Sequence, residues 1–359
     1  MMLINESGLW ATGPVPAPVT AVAVLEISGA VLSWPIDDPS HPPVLVFTDV
    51  ARADWMWRVL GEAGHVTVVE ALRDADPAAV IELPSVSVLP GSTDSLRRLA
   101  LGHWLRRWWP ASSRDGITAL DRSVLDAELA VLTAAAEDYF TDDTLDADVA
   151  GLLALHGAAL GAHRDQRVEA LGARCHDLAD EYGLRWDAPG VVAARREDYA
   201  LVAGAGDEPP SPGTIAAGAV TIAWSDVPPG IFDAAEDNLD WVIVAEDAAV
   251  AVRVRAAVSG PDSAAGIPVA LRCSMFRGFG VLDSDGAAVL PVFDVDGRPA
   301  AEEQAWNTDW SATRVSVGAG GAAESSELRD RVRTFARARL TAPAADAFLA
   351  ELLAAESDY

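Results

Sequence analysis

The stretch Val250-Ala-Val-Arg-Val-Arg-Ala-Ala-Val258 places Val250, Val252, Val254, Ala256 and Val258 on one face of an extended chain, with Arg253 and Arg255 on the other. Successive side chains of a strand point to opposite faces, so this period of two marks a strand with one buried and one wet side. The period recurs on both sides of it. Residues 219–224, 241–245, 268–273, 280–282, 287–293 and 313–317 read as further short strands. Asp285-Gly286 and Asp296-Gly297 supply turn signals among them. Seven short strands within about a hundred residues predict an antiparallel β-sandwich over 214–320.

Working towards the N-terminus, Gly204-Ala-Gly-Asp-Glu-Pro-Pro-Ser-Pro-Gly213 breaks all periodicity and reads as an interdomain linker. Before it, residues 20–27, 43–49, 65–69 and 85–89 are strand candidates, and 51–61 carries helical spacing. Strand, helix, strand in that order predicts a small α/β layer. Four helical stripes follow: Leu101, Trp104, Leu105 and Trp108; Leu125, Leu129, Leu132, Ala136 and Tyr139; Leu145, Val149, Leu152 and His156; and Val168, Leu171, Cys175, Leu178 and Tyr182. Asp142 and Asp143 suit the positive end of the third helix. Two more helices close the chain, one capped by Ser325 or Ser326 and one beginning near Pro343. The expected organisation is an α+β multidomain chain: an α/β layer with a helical bundle at 18–200, a linker at 201–213, the sandwich at 214–320 and C-terminal helices at 321–359.

The 359 residues carry 54 acidic and 26 basic side chains, a formal charge of −28, and every basic residue is arginine. A lysine-free chain excludes Schiff-base lysine catalysis, the P-loop lysine and the kinase strand lysine. Its acidity disfavours duplex nucleic acid and anionic membranes as partners. The absence of lysine beside abundant arginine and alanine fits a high-GC coding bias, with a salt-adapted acidic surface as the competing reading. The first nineteen residues have no basic n-region, and no apolar run is long enough for a membrane span. The expectation is a soluble cytoplasmic protein. Cys175 and Cys273 stand far apart and suggest neither a disulfide framework nor a zinc ribbon.

The segments Gly266-Ile-Pro-Val-Ala-Leu-Arg272, Gly280-Val-Leu-Asp-Ser-Asp-Gly-Ala-Ala-Val-Leu-Pro291 and Arg314-Val-Ser-Val-Gly318 resemble the transthyretin-like, carboxypeptidase-regulatory-like β-sandwich. In that family an Asp-x-Asp-Gly hairpin joins two strands, as Asp283, Asp285 and Gly286 would here. The resemblance covers about a fifth of the chain and implies an accessory or binding module. An insertion at 302–309 and a missing aromatic before the last strand depart from the family pattern.

Clustered carboxylates with a glycine turn, as in Asp283-x-Asp285-Gly and Asp294-x-Asp296-Gly, suit a calcium ion, but the spacing is not that of an EF-hand and hairpin turns explain both copies. No metal or cofactor is expected there. His156, His163 and Cys175 would converge if the third and fourth helices pack antiparallel, a chemically sensible set for zinc or thiolate activation. A core cysteine beside hydrogen-bonded histidines is the competing reading. The twelve Trp exceed the eight Phe and the four Tyr, at scattered positions without ligand spacing, which core and interface use explain.

Arg97, Arg98, Trp104, Arg106, Arg107, Trp108 and Trp109 form a basic, aromatic helix in an acidic chain, and Arg329, Arg333 and Arg337 repeat at i, i+4 and i+8 near the end. Both are candidate docking surfaces for a protein partner, since Arg and Trp anchor interfaces; internal neutralisation of carboxylates is the alternative. No Gly-x-Ser-x-Gly, His-Glu-x-x-His, Walker A or dinucleotide fingerprint occurs. The functional expectation is a non-enzymatic interaction protein, an adaptor or accessory subunit of a bacterial multiprotein system. Two alternatives stand beside it: an enzyme using Thr48, Asp49 and Asp54 at the strand ends of the α/β layer, and a nucleic-acid-binding protein using the helix from Arg97 to Trp109.

Overall fold

A two-residue turn, Ser28-Gly29, decides how the N-terminal sheet is built. Gly29 has φ +79°, and a Cβ there would lie 2.2 Å from the Asp49 carbonyl oxygen, so only glycine fits. Its own carbonyl accepts the Thr48 and Asp49 N–H groups, both at 2.9 Å. So short a connection can return the chain only antiparallel, because a parallel neighbour needs a long crossover.

The computed structural model describes residues 1–14, 16–73, 75–140, 146–154, 156–186, 213–246, 249–320 and 324–357. The chain divides into two compact units, one of Met1–Trp108, Leu120–Val192 and Thr334–Tyr359, the other of Trp109–Ala119 and Ala193–Arg333. This division differs from the expected series of domains at 18–200, 214–320 and 321–359. The linker at 201–213 lies outside the described residues except for Gly213.

In the first unit, β1 (Met2–Glu6), β2 (Leu9–Ala11), β3 (Val22–Ile27), β4 (Ala30–Pro35), β5 (Val44–Phe47) and β6 (Ile81–Glu82) form a sheet in the order β3-β4-β5-β2-β1-β6. Every pairing is antiparallel, which corrects the expected strand-helix-strand layer. The hairpin of β1 and β2 lies in residues the sequence reading placed before the domain. All four residues of β5 are buried, as its unbroken apolar run requires of a strand covered on both faces.

Residues 65–69, expected as a strand, lie inside α1 (Trp57–Arg73). The helix is kinked at Gly61 (φ +74°, ψ 158°); just beyond the kink a Cβ on Gly64 would sit 3.2 Å from the Leu60 Cβ and 3.5 Å from a Val86 methyl, and Val68, one turn on, is buried. Close packing at Gly64 and burial of Val68 override the β propensity of Val66 to Val69. Residues 85–89 also form no strand; Val86 N–H closes a turn onto the Leu83 carbonyl.

The helical stripes fare better. α2 (Asp94–Trp108), α3 (Arg122–Ala136) and α6 (Gln166–Glu181) match three of them. Asp121 caps α3 by accepting the Ser123 and Val124 N–H groups at 2.8 and 3.1 Å. The third stripe is broken: α4 (Asp146–Leu153) ends before His156, and α5 (Gly157–Ala162) starts after it. Asp142, Asp143 and Leu145 fall outside the described residues.

The second unit holds β7 (Thr214–Val220), β8 (Leu239–Glu246), β9 (Ala249–Ala256), β10 (Pro268–Cys273), β11 (Phe276–Val281), β12 (Ala287–Phe293) and β13 (Arg314–Val317), with α7 (Glu302–Trp306) before the last strand. The order is β13-β10-β11-β12-β9-β8-β7, antiparallel throughout. The expected sandwich is two sheets face to face; the structure instead has one continuous sheet around one core. The switch occurs in β12, whose Ala287–Pro291 segment pairs with β9 while Val292 and Phe293 pair with β11. Residues from both ends of the sheet, Ile215 and Val317 among them, border the same cluster with Val252, Leu271 and Leu290. Finally, α8 (Ser326–Thr341) crosses the boundary between the units at Arg333, and α9 (Leu349–Ser357) ends the described chain.

Candidate functional site

The arginines of α2 meet carboxylates of their own unit. Arg97 reaches Asp346 at 3.3 Å, Arg98 reaches Glu128 at 2.7 Å, and Arg106 donates its Nε–H to the buried Asp126 at 2.7 Å. The second Glu128 oxygen accepts the Leu349 N–H at the start of α9, 2.6 Å away. Trp104 is buried, donates its indole N–H to the Thr20 carbonyl and packs edge-on against Phe335. The Arg107 guanidinium lies 4.1 Å from the Trp108 ring centroid, and Trp109 donates to the Thr118 carbonyl. Trp104, Arg97, Arg98 and Arg106 thus fasten α2 to Thr20 just before β3, to α3 and to the C-terminal residues of the unit.

Three arginines of α8, Arg329, Arg333 and Arg339, are turned inward. Arg329 and Arg333 are only 8% and 5% exposed. Glu236 receives both prongs of the Arg329 fork, at 2.8 and 2.7 Å, together with Arg333 at 2.9 Å and the Thr221 hydroxyl at 2.8 Å. The Arg329 hydrogen bonds hold the Glu236 carboxyl well below its usual range, at about 2. Arg333 also donates to the Ala234 carbonyl. Arg337 is half-buried. A solvent-facing arginine stripe at i, i+4 and i+8 is therefore corrected for Arg329 and Arg333: their stems cover apolar surface and their heads neutralise Glu236.

His156, His163 and Cys175 do not converge. His156 Nε2 lies 3.0 Å from Asp126, whereas His163 Nε2 lies 2.9 Å from Asp121. Burial opposes ionisation of both aspartates, but their hydrogen bonds prevail and both carboxyls are held below the usual range. Cys175 is fully buried, donates to the Ala127 carbonyl at 3.5 Å, and has its thiol pushed up to about 12 by burial. Such a thiol is inert at neutral pH.

A pocket of about 250 Å³ opens beside α5 and α6, lined by Gly157, Gly161, His163, Glu169, Gly172 and Trp186 among others. It exists because three of its wall positions are glycine. Thr48, Asp49 and Asp54 are exposed and do not line it. Asp49 accepts the Ala51 N–H in a local turn, and the antiparallel sheet has no parallel switch point to make a crevice at those strand ends. The two Asp-Gly sequences form tight turns: Asp283 accepts the N–H groups of Asp285 and Ala287, and Asp294 those of Asp296 and Arg298, all at 2.9 Å. Among the described residues no cluster of three or more metal-ligating side chains occurs.

The outward face of the C-terminal sheet was missed by the sequence reading. Phe279 and Val281 on β11 are 49% and 59% exposed, and Val289 on β12 is 63% exposed. Beside them on the same face, Arg272 stands directly opposite Arg277 on one neighbour and Arg314 on the other. Arg253 and Arg255 on β9 face outward as well. The signal was present in the alternation: Arg272, Arg277 and Arg314 occupy outward positions of their strands, just as Arg253 and Arg255 do. What one strand cannot show is that the register lines three of them up.

Comparison with protein-family models, curated proteins and solved structures yields no match to this chain. Among the described residues no helix is long and apolar enough to cross a membrane.

Proposed function

We propose that the chain is a non-enzymatic interaction protein, an adaptor or accessory subunit of a cytoplasmic bacterial multiprotein system, and that it engages its partner through the outward face of the C-terminal sheet. One observation carries this reading: Phe279, Val281 and Val289 are exposed together on adjacent strands, framed by arginines. A single exposed apolar residue means little, but a contiguous patch with a charged frame has the composition of an interface core and rim. Aromatic and arginine side chains are also the residues in which binding energy concentrates.

Affinity purification at native expression, comparing the wild-type chain with a Phe279→Ser/Val289→Ser variant, tests the reading. Both replaced side chains point to solvent, so the fold should survive, and the variant should lose a specific partner that the wild type recovers. Equal recovery by both, or no specific partner for either, refutes the proposal.

A further inference from the structure

The row Arg314, Arg272, Arg277 is costly to the isolated sheet. Like charges directly opposite on neighbouring strands destabilise a sheet, since their Cβ atoms stand only about 4.5–5.5 Å apart. Here the arrangement occurs twice in succession, on β13–β10 and on β10–β11. The chain has carboxylates to spare, and it uses them on Arg97, Arg98, Arg106, Arg329, Arg333 and Arg339. Among the described residues none is brought within ion-pair distance of Arg272 or Arg314. Arg277 donates only to the Val295 carbonyl, at 3.0 Å. The nearby acids are committed elsewhere, Asp294 to the N–H groups of its own turn and Asp296 to Arg298 at 3.5 Å.

Resting on the reading that this face binds a protein, we infer that the partner presents an acidic amphipathic helix, with carboxylates that neutralise Arg314, Arg272 and Arg277 and apolar side chains that cover Phe279, Val281 and Val289. The spacing argues for a helix. Adjacent strands are about 4.8 Å apart, so the three arginines span about 10 Å. Carboxylates at i, i+3 or i+4 and i+7 on one helix face are about 5–6 Å apart and span about 10.5 Å. The apolar group lies immediately beside the row, because Phe279 and Val281 follow Arg277 at intervals of two along β11. Charge complementarity also supplies selectivity: at −28 the body of the protein repels acidic segments everywhere except where guanidinium groups are exposed in series.

The test is fluorescence anisotropy with the full chain and three labelled probes: a short helical Glu/Leu peptide with glutamates at i, i+4 and i+7, its Lys/Leu counterpart, and an oligothymidylate. The acidic peptide should bind, weaken as salt rises, and weaken by at least about tenfold in an Arg272→Glu/Arg314→Glu variant. Arg272→Gln, the milder change, should weaken it by an intermediate factor with near-UV circular dichroism unchanged. Equal binding by the lysine peptide, tighter binding by the oligonucleotide, no binding of the acidic peptide, or indifference to both arginine variants overturns the inference. So does self-association of the chain through this face, read by native mass spectrometry and abolished by the same variants. If Phe279→Ser/Val289→Ser abolishes partner recovery while the arginine variants do not, the docking face stands and its acidic specificity fails; if neither set matters, both fail.

Discussion

Replacing Glu351 by alanine should destabilise the first unit by about 3–5 kcal/mol, the cost of removing one partner from a buried ion pair. Glu351 is fully buried and Arg339 is 7% exposed. The carboxylate receives Arg339 Nε–H and Nη2–H as a bidentate pair and also accepts the Phe348 N–H at 2.8 Å. Its removal leaves Arg339 with Asp346, 3.0 Å from Nη1, as its remaining counter-charge among the described residues. It also orphans a buried backbone donor, itself worth about 1–3 kcal/mol. Asp346 already serves Arg97 and water can enter the space, so the sum falls short of full additivity. Urea denaturation followed by far-UV circular dichroism gives the magnitude, with an unchanged denaturant slope confirming that the native compactness is retained. An Arg339→Met/Glu351→Met variant separates the effect of an unpaired charge from that of lost packing: it should recover most of the stability, because apolar pairs commonly match buried ion pairs. A loss below about 1 kcal/mol for Glu351→Ala, or a double variant no better than the single one, would refute the reasoning.

Three further outcomes follow from other parts of the structure. In α2 a Cβ on Gly102 would lie 2.5 Å from a Leu129 methyl and 2.7 Å from the Phe348 ring, so Gly102→Ala should cost about 1–3 kcal/mol; Gly172→Ala, which meets open space on α6, should stabilise by about 0.5–1 kcal/mol in the same thermal melts. The Glu236 carboxyl is held at about 2 against an ordinary 4.5, so its ion pairs stabilise the fold above pH 4.5 and that contribution disappears as pH falls towards 2; the stability gap between wild type and Glu236→Gln, measured by melts across this range, should close on acidification, and a gap independent of pH contradicts the assignment. Arg272→Gln should raise the stability of the second unit by about 0.2–1 kcal/mol at low salt, with the gain shrinking as salt is added; a destabilised variant would show that the arginine row has a counter-charge after all.

The strand periods of the C-terminal half and the helical stripes of α2, α3 and α6 were legible because local periodicity states which face of an element is apolar. Pro268–Cys273 and Ala287–Phe293 even begin and end where the alternation does. Residues 65–69 misled for the complementary reason: four β-branched side chains favour a strand locally, and tertiary packing, with Gly64 close against Leu60 and Val86 and Val68 buried, makes them a helix. The histidines show the same limit. Their spacing of seven implied a shared helical face, but the chain breaks at His156, and each ring is claimed by a separate aspartate from the start or middle of α3. The arginine clusters were visible as clusters, yet a guanidinium on a long stem can turn inward or outward, and sequence does not state which carboxylates lie within its reach.

Composition alone excludes every mechanism that needs a lysine amine, and makes arginine the sole carrier of fixed positive charge in a chain of −28. It follows that each arginine position is informative. Tertiary structure sorted them: register set Arg314, Arg272 and Arg277 in a row on an open face, while helix packing buried Arg329, Arg333 and Arg339 against Glu236 and Glu351. The difference is physical. Periodicity reports which side of an element faces water and is written in neighbouring residues, but pairing of charges depends on distances between residues far apart in sequence, which exist only once the strands and helices have packed.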